Sequence, residues 1–360
     1  MKKQKKVLLG LSGGVDSSVA ALLLKKQGYQ VIAVFMKNYS TKSKNRDIDI
    51  RCWKSEKHSA EKIAAQLDIP LIILDFEKEY RNKVINPMFE DYKKGLTPNP
   101  DTLCNKIIKF PLLWKEAKKL KADYIATGHY ARIKETKKGF NLLKGKDKTK
   151  DQSYFLYQLT QKDLSHILFP NGDYTKKQIR KIAEKNNFHN ASRPGTRGIC
   201  FVGNVDMKRF LKQKIKEKQG IVKNQKGETI GTHPGIMYFT IGQRVGPRLG
   251  FIFNKKAKIS EKYYIVDKNS KNNILTIAPK NHNLLKKSQI KIIKFNQINP
   301  REKIHKSGIK ARVRHLGDLI SGTLKNNVFK FKKPQKAIAP GQSIVLYHKE
   351  KVIGGGEIRT

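Results

Sequence analysis

The sequence is short of cysteine, of acid and of long apolar runs, and each shortage closes off a class of protein. Its 360 residues hold three cysteines, Cys52, Cys104 and Cys200. The number is odd, the spacings are wide and no Cys-x-x-Cys pair occurs, so neither a disulfide scaffold nor a zinc ribbon is expected. No apolar stretch reaches the roughly 18 residues a membrane span requires. The basic start at 1–6 leads into an apolar run at 7–11, but Asp16 and the polar residues of 12–18 interrupt what a signal peptide needs. A cytoplasmic, soluble protein is the expectation. The nine histidines show no ligand spacing, so no metal site built from protein ligands alone is expected.

Acid is scarce relative to base. Lys and Arg number 76 against 29 Asp and Glu, a net charge of +47, while 38% of residues are hydrophobic and 9% aromatic. That apolar content is enough to fold, and the charge excess favours a polyanion such as nucleic acid as partner. Only fourteen of the basic residues are Arg, and Lys, Asn and Ile crowd the chain, so part of the charge follows composition. The excess is spread along the sequence and not gathered in a tail.

Short apolar runs at 7–11, 31–36, 71–74 and 124–127 alternate with helical patterns at 17–26, 55–67 and 110–120. That order predicts an α/β, Rossmann-like doubly wound parallel sheet, whose ligand crevice lies at the carboxyl ends of the strands. Segments 151–159 and 176–186 read as further helices, with a turn at Gly172 and Asp173. From Gly220 onward the texture is β-rich, including 237–241, 263–267 and 273–278, and then 309–313, 328–331 and 343–347. The expected division is 1–207, a small central β-rich domain at 208–283, and a C-terminal β-barrel at 284–360.

The most informative stretch is Gly10, Leu11, Ser12, Gly13, Gly14, Val15, Asp16, Ser17 and Ser18, which follows a strand and opens a helix. Glycines admit close backbone approach, and the helix's free N–H groups and dipole favour an anion, so this reads as a phosphate cradle. It lacks the Gly-Lys-Ser/Thr ending of the Walker loop. It resembles instead the S-G-G-x-D-S loop of ATP pyrophosphatases, the PP-loop superfamily, which implies adenylation of a substrate with pyrophosphate leaving into the loop. Asp16 would then help to hold Mg²⁺.

Two cysteine segments follow. In Asn99-Pro100-Asp101-Thr102-Leu103-Cys104-Asn105-Lys106, the thiol beside a lysine reads either as an activated nucleophile or as buried packing. Cys200 lies in Gly198-Ile199-Cys200-Phe201, where the nearby Arg193 and Arg197 would stabilise a thiolate or persulfide. These segments occur in order with Ala126-Thr127-Gly128-His129-Tyr130-Ala131, Lys150-Asp151-Gln152-Ser153-Tyr154-Phe155-Leu156, Thr240-Ile241-Gly242-Gln243-Arg244, Ala339-Pro340-Gly341-Gln342-Ser343 and Gly354-Gly355-Gly356. Together they resemble bacterial tRNA-specific 2-thiouridylases of the MnmA type across essentially the whole chain.

The resemblance implies an adenine nucleotide alpha hydrolase-type catalytic domain and a transferase that adenylates C2 of a tRNA wobble uridine with ATP and Mg²⁺. Sulfur from a cysteine persulfide then gives 2-thiouridine, AMP and pyrophosphate. It implies Cys200 as persulfide carrier, whose terminal sulfur either attacks C2 directly or is released as sulfide by attack of Cys104, and Cys104 as its transient disulfide partner, with Asp16 assisting. Met36 and Gly128 match nucleotide contacts; Asn99, Pro100 and Asp101 match the segment that meets the target base. Lys150, Asp151, Gln152, Arg312 and Val313 match tRNA contacts. The implied partners are Lys, Glu and Gln acceptor tRNAs and a sulfur donor, either a cysteine desulfurase or a relay protein. The sequence departs from the family pattern at Glu56, Ser59, Ile107, Gly195, Pro247, Phe251 and Val313.

Read from the residues alone, Cys52 beside Trp53 and the aromatics Tyr154, Phe155 and Tyr157 are expected to pack in the core, and His129 fits a structural or a catalytic role equally. Two other functions share part of this pattern. An adenylating amidotransferase or ligase would need neither Cys104 nor Cys200, and a basic RNA-binding protein with a decayed nucleotide site would release no pyrophosphate.

Overall fold

A computed structural model describes residues 4–40, 53–195, 200, 202–203, 206–255, 262–304 and 307–359. Four strands, β1 (Lys6–Gly10), β2 (Gln30–Lys37), β3 (Leu71–Asp75) and β4 (Tyr124–Ala126), form a parallel sheet. A hairpin of β5 (Ala131–Thr136) and β6 (Gly139–Lys144) follows, and β7 (Ile167–Leu168) then completes the sheet in the order β3-β2-β1-β4-β7. Val7, Leu8 and Leu9 on β1 are fully buried, as a central strand covered on both faces requires. From β1 the chain moves outward through β2 and β3, then returns to place β4 on the other side of β1. The crevice beyond the carboxyl ends of β1 and β4 is therefore the switch point of this sheet.

The central unit is a five-stranded sheet built from β8 (Gly220–Lys223), β9 (Thr229–His233), β10 (Ile252–Phe253), β11 (Tyr263–Asn269) and β12 (Ile274–Pro279). In the last unit six strands follow: β13 (Lys286–Gln297), β14 (Ile309–Arg312), β15 (Ile320–Lys325), β16 (Val328–Lys336), β17 (Ser343–His348) and β18 (Lys351–Arg359). Pairing of β13 with both β16 and β18 closes them into an antiparallel barrel. The hairpin β5–β6, although carried by the first unit, extends the barrel sheet by pairing Leu143 with Lys351.

Two expected elements differ. Residues 151–159 form only a 3₁₀ turn, Ser153–Leu156, because the Asp151 carboxylate accepts from the backbone N–H groups of Gly145 (3.0 Å) and Ser153 (3.1 Å). Such side-chain bonds compete with helix formation. Residues 237–241 are not a strand: Ile236–Tyr238 is a 3₁₀ turn entered from Gly235 at φ 148°, with all three side chains buried. A short apolar run does not distinguish these outcomes.

The first unit and the barrel share a core. Tyr154 and Tyr157 are fully buried between them, and Tyr154 donates to the Ser343 carbonyl at 2.8 Å. At about 200 Å² per ring and about 25 cal/mol/Å², each contributes roughly 5 kcal/mol before entropy is counted. The other clamp is ionic. Arg312 of β14 pairs with Asp151 at 2.5 Å, with both side chains almost wholly buried. Replacing Arg312 with Met strands a carboxylate in the interior and is expected to destabilise the chain by about 3 kcal/mol or more. Urea unfolding should show that loss for Arg312→Met, and Arg312→Met/Asp151→Asn should recover most of it.

Candidate functional site

The turn between β1 and helix Val15–Lys26 is tied down from behind. The Gly13 carbonyl accepts from Ser59 Oγ and Asn190 Nδ2, both at 2.8 Å, and Ser17 Oγ bonds Gly14 (2.9 Å) and the Ser12 N–H (3.1 Å). Gly13, at φ +75°, lies so close to the neighbouring helix that a Cβ would sit 2.3 Å from the Glu56 carbonyl oxygen. Gly14 caps the helix without a side-chain bond, leaving the first-turn N–H groups for a ligand. Gly128, just past β4, packs so tightly that a Cβ there would meet the Asp16 carbonyl carbon at 2.8 Å.

A cavity of about 410 Å³ opens at this turn. Gly10, Leu11, Ser12, Asp16, Ser17, Met36 and Gly128, which the resemblance names as nucleotide contacts, are among its lining residues. Gly13, Gly14 and Val15 support the turn from outside that lining. The Asp16 carboxylate accepts from the Tyr130 hydroxyl and from the Lys176 ammonium, both at 2.6 Å.

The same cavity reaches sulfur. Cys104 ends helix Pro100–Cys104 and is fully buried, while Cys200 lines the cavity, and the two sulfurs lie within hydrogen-bond reach without a bond between them. Cys200 is clamped through its backbone: its N–H donates to Asp101 Oδ1 at 2.8 Å, and its carbonyl accepts from the Tyr80 hydroxyl at 2.5 Å. Burial pushes the Cys104 thiol well above its ordinary value. Cys200 is held below its own, chiefly by the hydrogen bond from Cys104 and also by the neighbouring Lys109.

His129 is neutral here, because burial and then the Lys109 charge press its pKa well below the usual value. Lys109 Nζ lies 3.4 Å from His129 Nε2, and an ammonium can only donate, so Nε2 accepts and Nδ1–H faces Thr127 Oγ1 at 2.7 Å. This histidine both lines the cavity and is fixed by hydrogen bonds.

Asn99, Pro100 and Asp101 form the entry to the Cys104 helix, Asn99 capping it through Thr102 N–H at 3.3 Å. Gln342 of the barrel fixes the preceding loop by donating to the Thr97 and Pro98 carbonyls. Lys150 and Gln152 line the cavity, whereas Asp151 between them is wholly buried. Asp151 and Arg312, expected as tRNA contacts, pair with each other inside the protein with both side chains almost wholly buried, and Val313 packs on the barrel core. Arg193 pairs with Glu56 at 3.9 Å and not with a thiol. Cys52, Arg197 and Gly198 lie outside the described residues.

The other departures are absorbed locally. Ser59 bonds His189 (2.8 Å), Ile107 packs on the core, Pro247 opens a 3₁₀ turn, Phe251 stacks near Phe239, and Gly195 lines the cavity. Lining residues that sequence reasoning missed include Lys109, Lys176, His315 and Leu316. Lys109 lies five residues after Cys104, but only the π turn between them brings it to the cavity. His315 and Leu316 come from the barrel, more than a hundred residues beyond Cys200, and only the fold reveals them. His315 stacks on Phe155 with centroids 4.3 Å apart, and burial lowers its pKa to about 4.

Family models match three consecutive stretches: a tRNA methyl transferase HUP domain at 5–204, a tRNA methyl transferase PRC-barrel domain at 208–279, and an aminomethyltransferase β-barrel domain at 287–358. The chain is 42% identical to tRNA-specific 2-thiouridylase MnmA 1 of Geobacillus kaustophilus, covering 99% of this chain and 96% of that protein. It is 41% identical to tRNA-specific 2-thiouridylase MnmA 2 of Aliarcobacter butzleri, over 99% of each. It is 40% identical to the MnmA of Staphylococcus saprophyticus, over 99% of this chain and 95% of that one.

The glycine contacts generate a test. Gly128→Ala forces the turn off Asp16 and should weaken ATP binding at least tenfold, about 1.4 kcal/mol by calorimetry. Gly10→Ala, whose Cβ meets nothing nearer than 3.8 Å, should change it less than twofold.

Proposed function

This chain belongs to the tRNA-specific 2-thiouridylases, and we propose that it exchanges the C2 oxygen of the tRNA wobble uridine for sulfur by the route its cavity supports. The observation that carries this reading is that residues of the phosphate cradle and the reduced Cys200 line one cavity, with the buried thiol of Cys104 within hydrogen-bond reach of Cys200. An amidotransferase would have no use for the second feature.

Uracil C2 is a poor electrophile and its oxygen a poor leaving group. Attack of that oxygen on the α-phosphorus of ATP forms the O–P bond and expels pyrophosphate towards the turn at Gly10–Ser17. The outer sulfur of a Cys200 persulfide then bonds to C2, and AMP leaves with the oxygen. The Cys104 thiol attacks Cys200 Sγ as its proton passes to the base, so the persulfide S–S bond breaks, its sulfur stays on the base, and a Cys104–Cys200 disulfide remains. That disulfide holds the two oxidising equivalents, which an external thiol reductant removes before the next turnover.

Asp16 fits a Mg²⁺ role, since its carboxylate lines the cradle end and magnesium is commonly held by one or two carboxylates, phosphates and water. Among the described residues no cluster of three acidic, His or Cys side chains offers a metal site without phosphates. Bound there, the ion would neutralise charge on the departing pyrophosphate. Lys176 already shares Asp16 and would balance its charge when the site is free of metal.

The target base enters from a single-stranded anticodon loop, where splaying a nucleotide out is cheap. Lys150, Gln152 and the barrel's His315 and Leu316 form part of the wall the base meets, and the +47 charge supplies salt-sensitive, sequence-independent affinity for tRNA. The sulfur donor is a persulfide-carrying protein.

Cys104→Ser and Cys200→Ser should each abolish 2-thiouridine, read by mass spectrometry of digested tRNA, with tRNA affinity within about twofold of the parent. Normal thiolation by either variant overturns the two-thiol route. Asp16→Ala should lower pyrophosphate release at least tenfold while tRNA affinity holds.

A further inference from the structure

Cys104 is followed directly by a π-helical turn, Asn105–Lys109. In an α-helix a residue five positions on is rotated by about 140° from the first, on nearly the opposite side. The wider turn brings position 109 back towards position 104, and such turns collect at functional sites. The result is a lysine whose ammonium hydrogen-bonds Cys200 and lies close to Cys104 and Asp101, 3.4 Å from His129 Nε2. Phe110 and Ile108 on either side are buried, and the amine itself lines the cavity.

We propose that Lys109 is the cation that keeps the Cys200 sulfur anionic, first as the thiolate that accepts sulfur and then as the persulfide that delivers it. The proposal rests on the two-thiol reading above and assigns to Lys109 the part that sequence reasoning gave to Arg193 and Arg197. Among the described residues, the titratable groups facing the pair are Asp101, Cys104, His129 and Tyr80. His129 is neutral and Tyr80 is a phenol whose pKa is raised well above its usual value by burial, so neither supplies a positive charge. Burial works against the Lys109 charge, yet Cys200, Cys104 and Asp101 hold its pKa above the ordinary value.

The loading step then balances. Cys200 thiolate attacks the outer sulfur of a protein persulfide, a new S–S bond forms on Cys200, and the donor's own S–S bond breaks. The donor's inner sulfur leaves as thiolate and takes the persulfide proton, leaving the new Cys200 persulfide deprotonated beside Lys109. No oxidant is consumed.

The test reads thiol chemistry in the full chain without tRNA, nucleotide or donor. Iodoacetamide labelling of Cys200, quantified by peptide mass spectrometry from pH 5 to 10, gives the midpoint of its ionisation. The parent should titrate below the ordinary thiol value of about 8.5. Lys109→Met should raise the midpoint by about one pH unit or more, which slows labelling roughly tenfold at pH 7, while Lys109→Arg should stay within about half a unit of the parent. A parent midpoint at or above 8.5 overturns the proposal whether or not the variants fold. So does an unmoved midpoint in Lys109→Met, or an Arg variant that shifts as far as Met, which would assign Lys109 to packing. Should the cysteine variants of the preceding section still thiolate tRNA, the two-thiol route fails while this profile stands, so the two failures are separable.

Discussion

One contact makes the site possible: the Asp101 carboxylate accepting the backbone N–H of Cys200. It joins two segments ninety-nine residues apart, and with Tyr80 on the Cys200 carbonyl it fixes where the sulfur can point. A buried carboxylate is costly unless it is bonded, and here burial raises the Asp101 pKa while the Cys200 N–H and Lys109 oppose that rise. Acid, amide and ammonium therefore satisfy one another, and the two thiols meet only because that arrangement is complete. Loss of any member would leave a buried charge or donor unmatched.

The barrel is part of the same machine. Gln342 holds the loop leading to Asn99, Tyr154 is bonded to Ser343, and Arg312 neutralises Asp151. Asp151 in turn shapes the turn that brings Lys150 and Gln152 to the cavity. What looks in the sequence like a row of three polar residues is one buried anchor between two cavity-facing neighbours.

Legibility followed distance. The cradle could be read directly, because its glycines, serines and aspartate act within nine consecutive residues and their spacing states the chemistry. The parallel sheet was legible for a related reason, since its central strands are near-continuous apolar runs. The helix expected at 151–159 was misread because the local bonds of Asp151 leave only a 3₁₀ turn there, and the ion-pair partner that holds Asp151 inside is 161 residues away. Arg193 was misread because proximity to Cys200 along the chain says nothing of Glu56, which it meets in space. Lys109 was hidden for a subtler reason: α-helical geometry would turn it away from Cys104, and nothing in the residues announces a π turn.

Strand β18 carries its own consequence. It pairs with β17, β13 and the hairpin strand β6, so it both closes the barrel and attaches the barrel to the first unit. Of the barrel strands it is the last to leave the ribosome, and until it does the loop bearing His315 and Leu316 has no closed scaffold. The parallel sheet and its cradle can assemble during synthesis, but the pocket acquires its barrel wall only afterwards. A nascent chain thus gains a nucleotide-sized opening before it gains a finished chamber.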